Sequence, residues 1–251
     1  MKKIYSIIIV SLFGALILNT ACGDEEILTG PSPKGPVDVQ LRLSGMSTNV
    51  GQVLHVDVIA SDQRLKSRAI IEPLSASADT IVLTLAAPFA GHRIDMFADV
   101  NKSGSYEALS DHSWRLNVPP NGVVTFVRDN NFTDITDSLL IRPGAMFSLN
   151  SSGFDQHVGE RFEVHVIDTS NGRTVGLYRI DRLDSGTRSI SIDGVIVDGA
   201  GYQIDFYIDV NANKRYDPPP IDNAWRVMDT GGPSGLTVIF PLDSNYTDVG
   251  F

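Results

Sequence analysis

The side chains with the clearest chemical potential are oxygen-bearing residues that recur in two similar stretches. The first stretch is DVNKSGSYEALSDHSWR, from Asp99 to Arg115, and the second is DVNANKRYDPPPIDNAWR, from Asp209 to Arg226. Counted from the first aspartate, positions 1, 3, 5 and 9 carry a carboxylate, amide or hydroxyl side chain in both copies. Such oxygens, together with a main-chain carbonyl at position 7, are what a hard cation such as Ca²⁺ takes as ligands. The pattern predicts a calcium site in each loop.

The two loops resemble the D-x-N-x-[NS] calcium loops of EF-hands and dockerins. The resemblance implies ligands in the first loop at Asp99, Asn101, Ser103, Ser105, Glu107 and Asp111. In the second loop it implies Asp209, Asn211, Asn213, Arg215 (through its main-chain carbonyl), Asp217 and Asp222. Asp111 and Asp222 are included because the usual glutamate at position 12 is absent.

The same residues also favour hairpin turns that need no metal. Asp and Asn side chains accept hydrogen bonds from the backbone that follows them, and this alone stabilises a turn. Asp95 and Asp205, on the strand before each loop, are further candidate ligands because they share a strand face with the first aspartate of the loop. The residue pattern therefore leaves two readings open, a calcium loop and a plain turn.

The only two tryptophans of the chain, Trp114 and Trp225, close the two stretches. We expect each ring to act as a structural plug at the end of its domain, where it would hold the loop against the core. The alternative is an exposed platform on which a sugar stacks. Arg115 and Arg226 follow directly and would point to the opposite face, where an acidic side chain could pair with them.

The chain is an internal duplication. VLHVDVIA (53–60) matches RFEVHVID (161–168), HRIDMFADVN (92–101) matches YQIDFYIDVN (202–211), and DNNFTDI (129–135) matches DSNYTDV (243–249). Within each copy, apolar residues alternate with polar ones or form short β-branched runs, and turn residues separate the runs. These features predict an all-β fold of two tandem Ig-like β-sandwich domains. The predicted repeats are 38–135 and 146–251, and the short linker 136–145 would keep them close together.

The N-terminal segment carries the features of an export signal. Lys2 and Lys3 precede an apolar run from Ile4 to Leu18, and small residues lead to Cys22, the only cysteine. This arrangement resembles the lipobox of bacterial lipoproteins, which implies that residues 1–21 are a signal peptide and that Cys22 is lipidated. The acidic residues 24–26 resemble the surface-export signal of Bacteroidota lipoproteins. Residues 22–37 would form a flexible tether.

Charge and motifs limit the function. Removal of residues 1–21 leaves 18 basic and 30 acidic residues, a net charge of −12, so nucleic acid is not an expected partner. None of the five histidines forms a metal-spaced pair, and no nucleophile elbow or phosphate loop is present. We expect a non-enzymatic protein, lipid-anchored at the outer membrane or cell surface, whose calcium-stiffened modules bind a glycan or protein in adhesion. The alternatives are a metal-free spacer and a carbohydrate-active hydrolase.

Overall fold

A computed structural model describes residues 36–87, 91–140 and 144–250. The signal segment, Cys22 and the tether up to residue 35 lie outside the described residues, as do residues 141–143 of the predicted linker. The described residues all belong to one compact unit. Among them, no helix has the length and apolar character needed to cross a membrane.

Within the described residues, each half of the molecule has seven strands. In the first half they are β1 Val37–Ser44, β2 Val53–Ile59, β3 Leu65–Glu72, β4 Asp79–Ala87, β5 Arg93–Asp99, β6 His112–Asn117 and β7 Val123–Val127. In the second half they are β8 Ala145–Ser152, β9 Arg161–Asp168, β10 Arg173–Ile180, β11 Arg188–Ile196, β12 Gly201–Asp209, β13 Asn223–Thr230 and β14 Leu236–Pro241. The described residues also contain three short 3-10 helices, Met46–Asn49, Thr136–Leu140 and Asp155–His157. The all-β prediction is confirmed.

Each half is a sandwich of a three-stranded sheet over a four-stranded one. The three-stranded sheets have the orders β4-β1-β7 and β11-β8-β14. The four-stranded layers are not separate sheets, because they join into one eight-stranded sheet, β13-β12-β9-β10-β3-β2-β5-β6. The halves are therefore duplicated sandwiches, as the repeats predicted, but they share a continuous central sheet instead of meeting as two closely placed domains.

The junction between the halves is the parallel pairing of β3 with β10, from Arg68 opposite Gly176 to Glu72 opposite Ile180. Side chains alternate across a strand, so neighbouring residues of β3 face opposite sides of the sheet. Ala69 packs in the core of the first half, whereas Ile70 packs in the core of the second half. In the same way Leu177 of β10 packs in the first core. The two three-stranded sheets therefore cover opposite faces of the central sheet.

Polar contacts reinforce this junction. The Arg179 side chain, 2% exposed, forms an ion pair with Asp79 of the first half. Glu72 accepts a hydrogen bond from the Tyr178 hydroxyl and lies 2.7 Å from Nη2 of Arg188. Buried ion pairs of this kind leave a costly unpaired charge when one partner moves away. Separation of the halves would therefore expose apolar surface and would also leave charged side chains without their partners.

Strand direction places both candidate loops on the same side of the central sheet, where the carboxyl ends of β5 and β12 lie. β5 runs parallel to β3, β12 runs parallel to β10, and β3 and β10 are themselves parallel. The loops that follow β5 and β12 consequently leave the sheet at the same end of its strands. Four strands separate β5 from β12, a spacing of about 24 Å along the sheet at about 4.8 Å per neighbouring pair.

We predict that the two halves unfold together. Trp114 reports on the first half and Trp225 on the second, so Trp114→Phe and Trp225→Phe each leave one fluorescent reporter. Because the halves share a sheet, the fluorescence midpoint in urea should coincide with the circular-dichroism midpoint within each variant. Comparing two probes within one variant removes the effect of the substitution on stability. Two separated transitions would contradict a single cooperative unit.

Candidate functional site

The first aspartate of each loop organises the turn that follows it. Asp99 accepts hydrogen bonds from the backbone N–H groups of Ser103 (3.1 Å) and Gly104 (2.7 Å). In the second loop Asp209 accepts the equivalent bonds from Asn213 (3.2 Å) and Lys214 (2.7 Å). The two loops thus fold in the same way although many of their residues differ.

The later aspartate closes each loop. Asp111 accepts hydrogen bonds from the N–H groups of Val100 (3.0 Å) and Glu107 (2.8 Å). Asp222 accepts from Val210 and Asp217 at the same two distances. The residues predicted to stand in for the missing glutamate are therefore part of the loop, and they tie its beginning to its end.

Side-chain amide and hydroxyl groups complete the loops. The side-chain amide of Asn101 donates to Glu107 at 2.7 Å, and the hydroxyl of Ser103 donates to the carbonyl of Ser105 at 2.8 Å. In the second loop Asn211 and Asn213 both donate to Asp217, at 2.8 and 2.6 Å. The predicted ligands of each loop are thus gathered in one hydrogen-bonded turn.

The donor set is suited to a hard cation only in part. In the described ranges no group of three or more Asp, Glu, His or Cys side chains is placed to hold a metal ion. A cation bound in either loop would need amide, hydroxyl and main-chain carbonyl oxygens as well as carboxylates, and Ca²⁺ accepts such mixed sets. The calcium sites stay a prediction.

The carboxylates at the base of the loops are buried without a basic partner. Asp99, Asp111, Asp209 and Asp222 are at most 4% exposed, and none forms an ion pair with a described basic side chain. Burial raises the pKa of Asp222, and the nearby carboxylates of Asp209 and Asp217 raise it further, while two N–H bonds oppose them. Negative charge is therefore concentrated at the base of this loop, where no described basic side chain forms an ion pair with it.

A tyrosine that our reading of the sequence missed connects each loop to the end of its half. The hydroxyl of Tyr106 accepts from the N–H of Ile135 at 3.4 Å, and that of Tyr216 accepts from the N–H of Val249 at 2.9 Å. The Tyr216 hydroxyl also donates to Asp248 at 2.7 Å. Position 8 of both loops is tyrosine, and this shared aromatic was the signal available. The terminal repeats DNNFTDI and DSNYTDV thus hold the loops.

The tryptophans lie in the core and do not face solvent. Trp114 and Trp225 are each 2% exposed, so neither can stack on a ligand at the surface. Trp114 packs near Phe126 and Phe132, with ring centroids 5.2 and 5.6 Å away. The indole nitrogen of Trp225 donates to the carbonyl of Asp243 at 3.2 Å. These contacts place both rings beneath the terminal segments that hold the loops.

Asp95 and Asp205, which lie on the strand before each loop, pair with arginines. Arg115 contacts Asp95 at 2.7 Å through Nε, and Arg226 contacts Asp205 at the same distance. Burial opposes ionisation of Asp95, but hydrogen bonds from Arg115, Ser138 and Arg93 outweigh it and lower the pKa of Asp95. Asp95 and Asp205 therefore support the strands and are not directed to the loops as cation ligands.

Each loop borders a cleft formed by both halves. The first cleft has a volume of about 630 Å³, and its floor is the outer face of β2, β3 and β5. Ser191 and Asp193 of β11 line it from the other half, and Lys102, Gly104 and Tyr106 line it from the first loop. The second cleft, about 300 Å³, has the converse arrangement, with the second loop on one side and β4 of the first half on the other.

An aromatic pair and carboxylates that are paired with arginines form the floor of the first cleft. His55 stacks on Phe97 with ring centroids 4.4 Å apart, and burial lowers the pKa of His55, which favours the neutral imidazole. Asp57 is held by Arg68 at 2.6 Å. Arg188 and Tyr178 lower the pKa of Glu72 although its burial acts in the opposite direction. Asp57 and Glu72 of this floor are therefore each paired with an arginine.

Comparisons with known proteins do not assign a family. No family model matches the chain, and no curated protein matches it. Among solved structures, the Bacillus anthracis TIE protein is 7% identical, with a TM-score of 0.25, and the match covers 82% of this chain and 34% of that one. A Parabacteroides distasonis protein whose name refers to cell adhesion is 11% identical, with a TM-score of 0.19 and coverage of 88% and 93%. Such low TM-scores carry no argument about function.

We predict that Asp95→Asn lowers the free energy of unfolding by about 3 kcal/mol at pH 7, because it removes the buried carboxylate that pairs with Arg93 and Arg115 and leaves them only the exposed Asp137 as an acidic partner. The pKa of Asp95 is lowered in the folded state, so its contribution is complete above an ordinary pKa of about 3.9 and is lost as the pH falls through the folded value. The difference from the unmodified protein, measured by urea unfolding, should shrink below about pH 4.

Asp62→Asn is the matched control for this substitution, because the Asp62 side chain is 53% exposed and its ion pair with Arg64 spans 3.7 Å. The control should change the stability little at any pH. An equal loss from the two substitutions at pH 7 would contradict the role assigned to the buried pair.

Proposed function

We propose that this protein is a lipid-anchored, non-enzymatic binding module of the bacterial outer membrane or cell surface, in which calcium stiffens the duplicated loops beside two ligand clefts. The observation that carries the proposal is the first cleft. Its volume of about 630 Å³ lies within the range of about 300 to 1,000 Å³ that small-molecule sites occupy. The ligands expected on such a surface are a glycan or a partner protein.

The role of calcium would be to hold the loop that borders each cleft. Asp99 and Asp111 bring two buried negative charges into the first loop, and Asp209 and Asp222 do the same in the second. A divalent cation would balance this charge and would draw in the Asn and Ser oxygens that the turn has already gathered. Weak binding is expected, with a dissociation constant of about 10⁻⁵ to 10⁻³ M, as in extracellular modules.

A binding role is favoured over hydrolysis by the state of the cleft acids. A glycosidase needs one carboxylic acid with a raised pKa as the proton donor. In the first cleft, Glu72 and Asp95 have lowered pKa values because of their arginine partners. These side chains can accept hydrogen bonds from a ligand, but they are poorly suited to donate a proton.

A metal-free spacer is the second candidate. It is supported by the carboxylate geometry, since the part of the chain that the structure describes has no group of three metal-ligating acids, histidines or cysteines. In that case the loops are turns held by their own backbone N–H groups, as the bonds to Asp99 and Asp209 permit.

We predict that millimolar Ca²⁺ raises the thermal midpoint of the protein in detergent by several degrees relative to chelator, because ligand binding to the folded state stabilises it. Asp99→Ala and Asp209→Ala should each reduce this rise, and the double variant should abolish it. Mg²⁺ at the same concentration is the ionic control. Identical midpoints with Ca²⁺ and chelator would refute the calcium sites and leave the spacer.

A second prediction tests the anchor. Cys22→Ser removes the only thiol of the chain, so it should abolish incorporation of labelled fatty acid and move the protein from the membrane fraction to the soluble fraction. Exposure at the cell surface is checked separately by protease treatment of intact cells. Unchanged fatty-acid labelling in Cys22→Ser would contradict the anchor.

A further inference from the structure

The two clefts are equivalent in the duplication but opposite in charge. The first is lined by five acidic and two Lys or Arg side chains. The second is lined by four basic side chains, Arg161, Arg179, Lys214 and Arg215, and by one acidic side chain, Glu163. In a protein with a net charge of −10, a basic cleft attracts anions against the overall field.

The positive charge at the mouth of the second cleft is not neutralised. Arg179 is held by Asp79 and Asp181, and Arg161 by Glu163 at 2.5 Å. Lys214 and Arg215 are exposed, and within the described residues neither has an ion-pair partner. The buried Nε of Arg161 also lacks a hydrogen-bond partner in the described part of the chain. Because that nitrogen is buried, the donors that a ligand can reach are those of Lys214 and Arg215 at the mouth of the cleft.

These two cations are a specific change between the copies. Lys214 and Arg215 replace Gly104 and Ser105 of the first loop. Lys214 has a φ of 65°, in the left-handed region where Gly104 lies at 75°, and a side chain there is strained. The second loop thus carries a strained lysine at a position where the same turn, in the other copy, uses glycine.

The opposite wall supplies hydroxyl groups. On this wall, Thr80 and Thr84 of β4 are exposed and line the second cleft. On the side of the loop, Tyr216 lines the same cleft. The volume of about 300 Å³ suits a ligand near the lower size limit of small-molecule sites. A ring that carries both hydroxyls and one acidic group would satisfy the threonines and the two cations together.

We propose that the second cleft binds an anionic sugar unit, a carboxylated or sulfated monosaccharide, whose acidic group lies between Lys214 and Arg215. The proposal rests on the binding role assigned to the clefts, but it does not require calcium. Charge-assisted hydrogen bonds to the two cations supply the affinity, and the threonine hydroxyls select a sugar over a simple anion.

The test is calorimetric titration of the full chain in detergent with galacturonate, N-acetylglucosamine 6-sulfate, glucose and acetate, with calcium and with chelator. One of the two acidic sugars should bind, more weakly at higher salt, and glucose and acetate should not. Lys214→Gly with Arg215→Ser, which copies the first loop, should weaken binding by about tenfold or more. The control Arg64→Ser with Arg182→Ser removes two charges outside both clefts and should bind as the unmodified protein does.

Thr84→Val, on the opposite wall, gives a second and independent readout, since it should weaken sugar binding without changing the loop. The proposal is overturned if neither acidic sugar binds at millimolar concentration, if acetate binds equally well, or if the copied loop binds normally. A calcium-dependent thermal shift without sugar binding would refute this inference and leave the calcium sites standing. Sugar binding without a calcium-dependent shift would refute only the calcium sites.

Discussion

The parallel pairing of β3 with β10 is the constraint on which the rest of the molecule depends. It joins two four-stranded layers into one sheet and places the three-stranded sheets on opposite faces. Each half therefore leaves the outer face of its central strands uncovered by its own three-stranded sheet, and the other half borders that face. The clefts, and the position of both loops at one edge, follow from this single pairing.

The loops show how a duplicated element can keep its backbone while its chemistry diverges. The aspartates at the start and end of each loop are retained because they accept the N–H bonds that shape the turn. Position 6 contributes only its backbone N–H to those bonds, and positions 6 and 7 have changed from Gly104 and Ser105 to Lys214 and Arg215. One frame thus presents an acidic cleft in the first half and a basic cleft in the second.

Much of the fold was accessible from local patterns. Strand positions followed from alternation and β-branched runs, as in TIVLTL within β4 and VVTFV in β7, because side-chain period reflects burial on one face. The loop residues were found because Asp and Asn at fixed spacing are needed in any such turn. Tyr106 and Tyr216 were missed, since an aromatic in a loop gives no sign of a partner 29 or 33 residues away.

The sequence by itself determined the duplication, the all-β class and the two loops, because these depend on contacts between residues that are near in the chain or repeated along it. Only the tertiary structure decided that the halves share a sheet, that Asp95 pairs with Arg115, and that the two clefts differ in charge. The shared sheet and the clefts depend on which edge strands meet, and β3 and β10 meet through backbone hydrogen bonds that carry no residue-specific pattern. Asp95 pairs with Arg115 because the register of β5 and β6 places the two residues opposite each other.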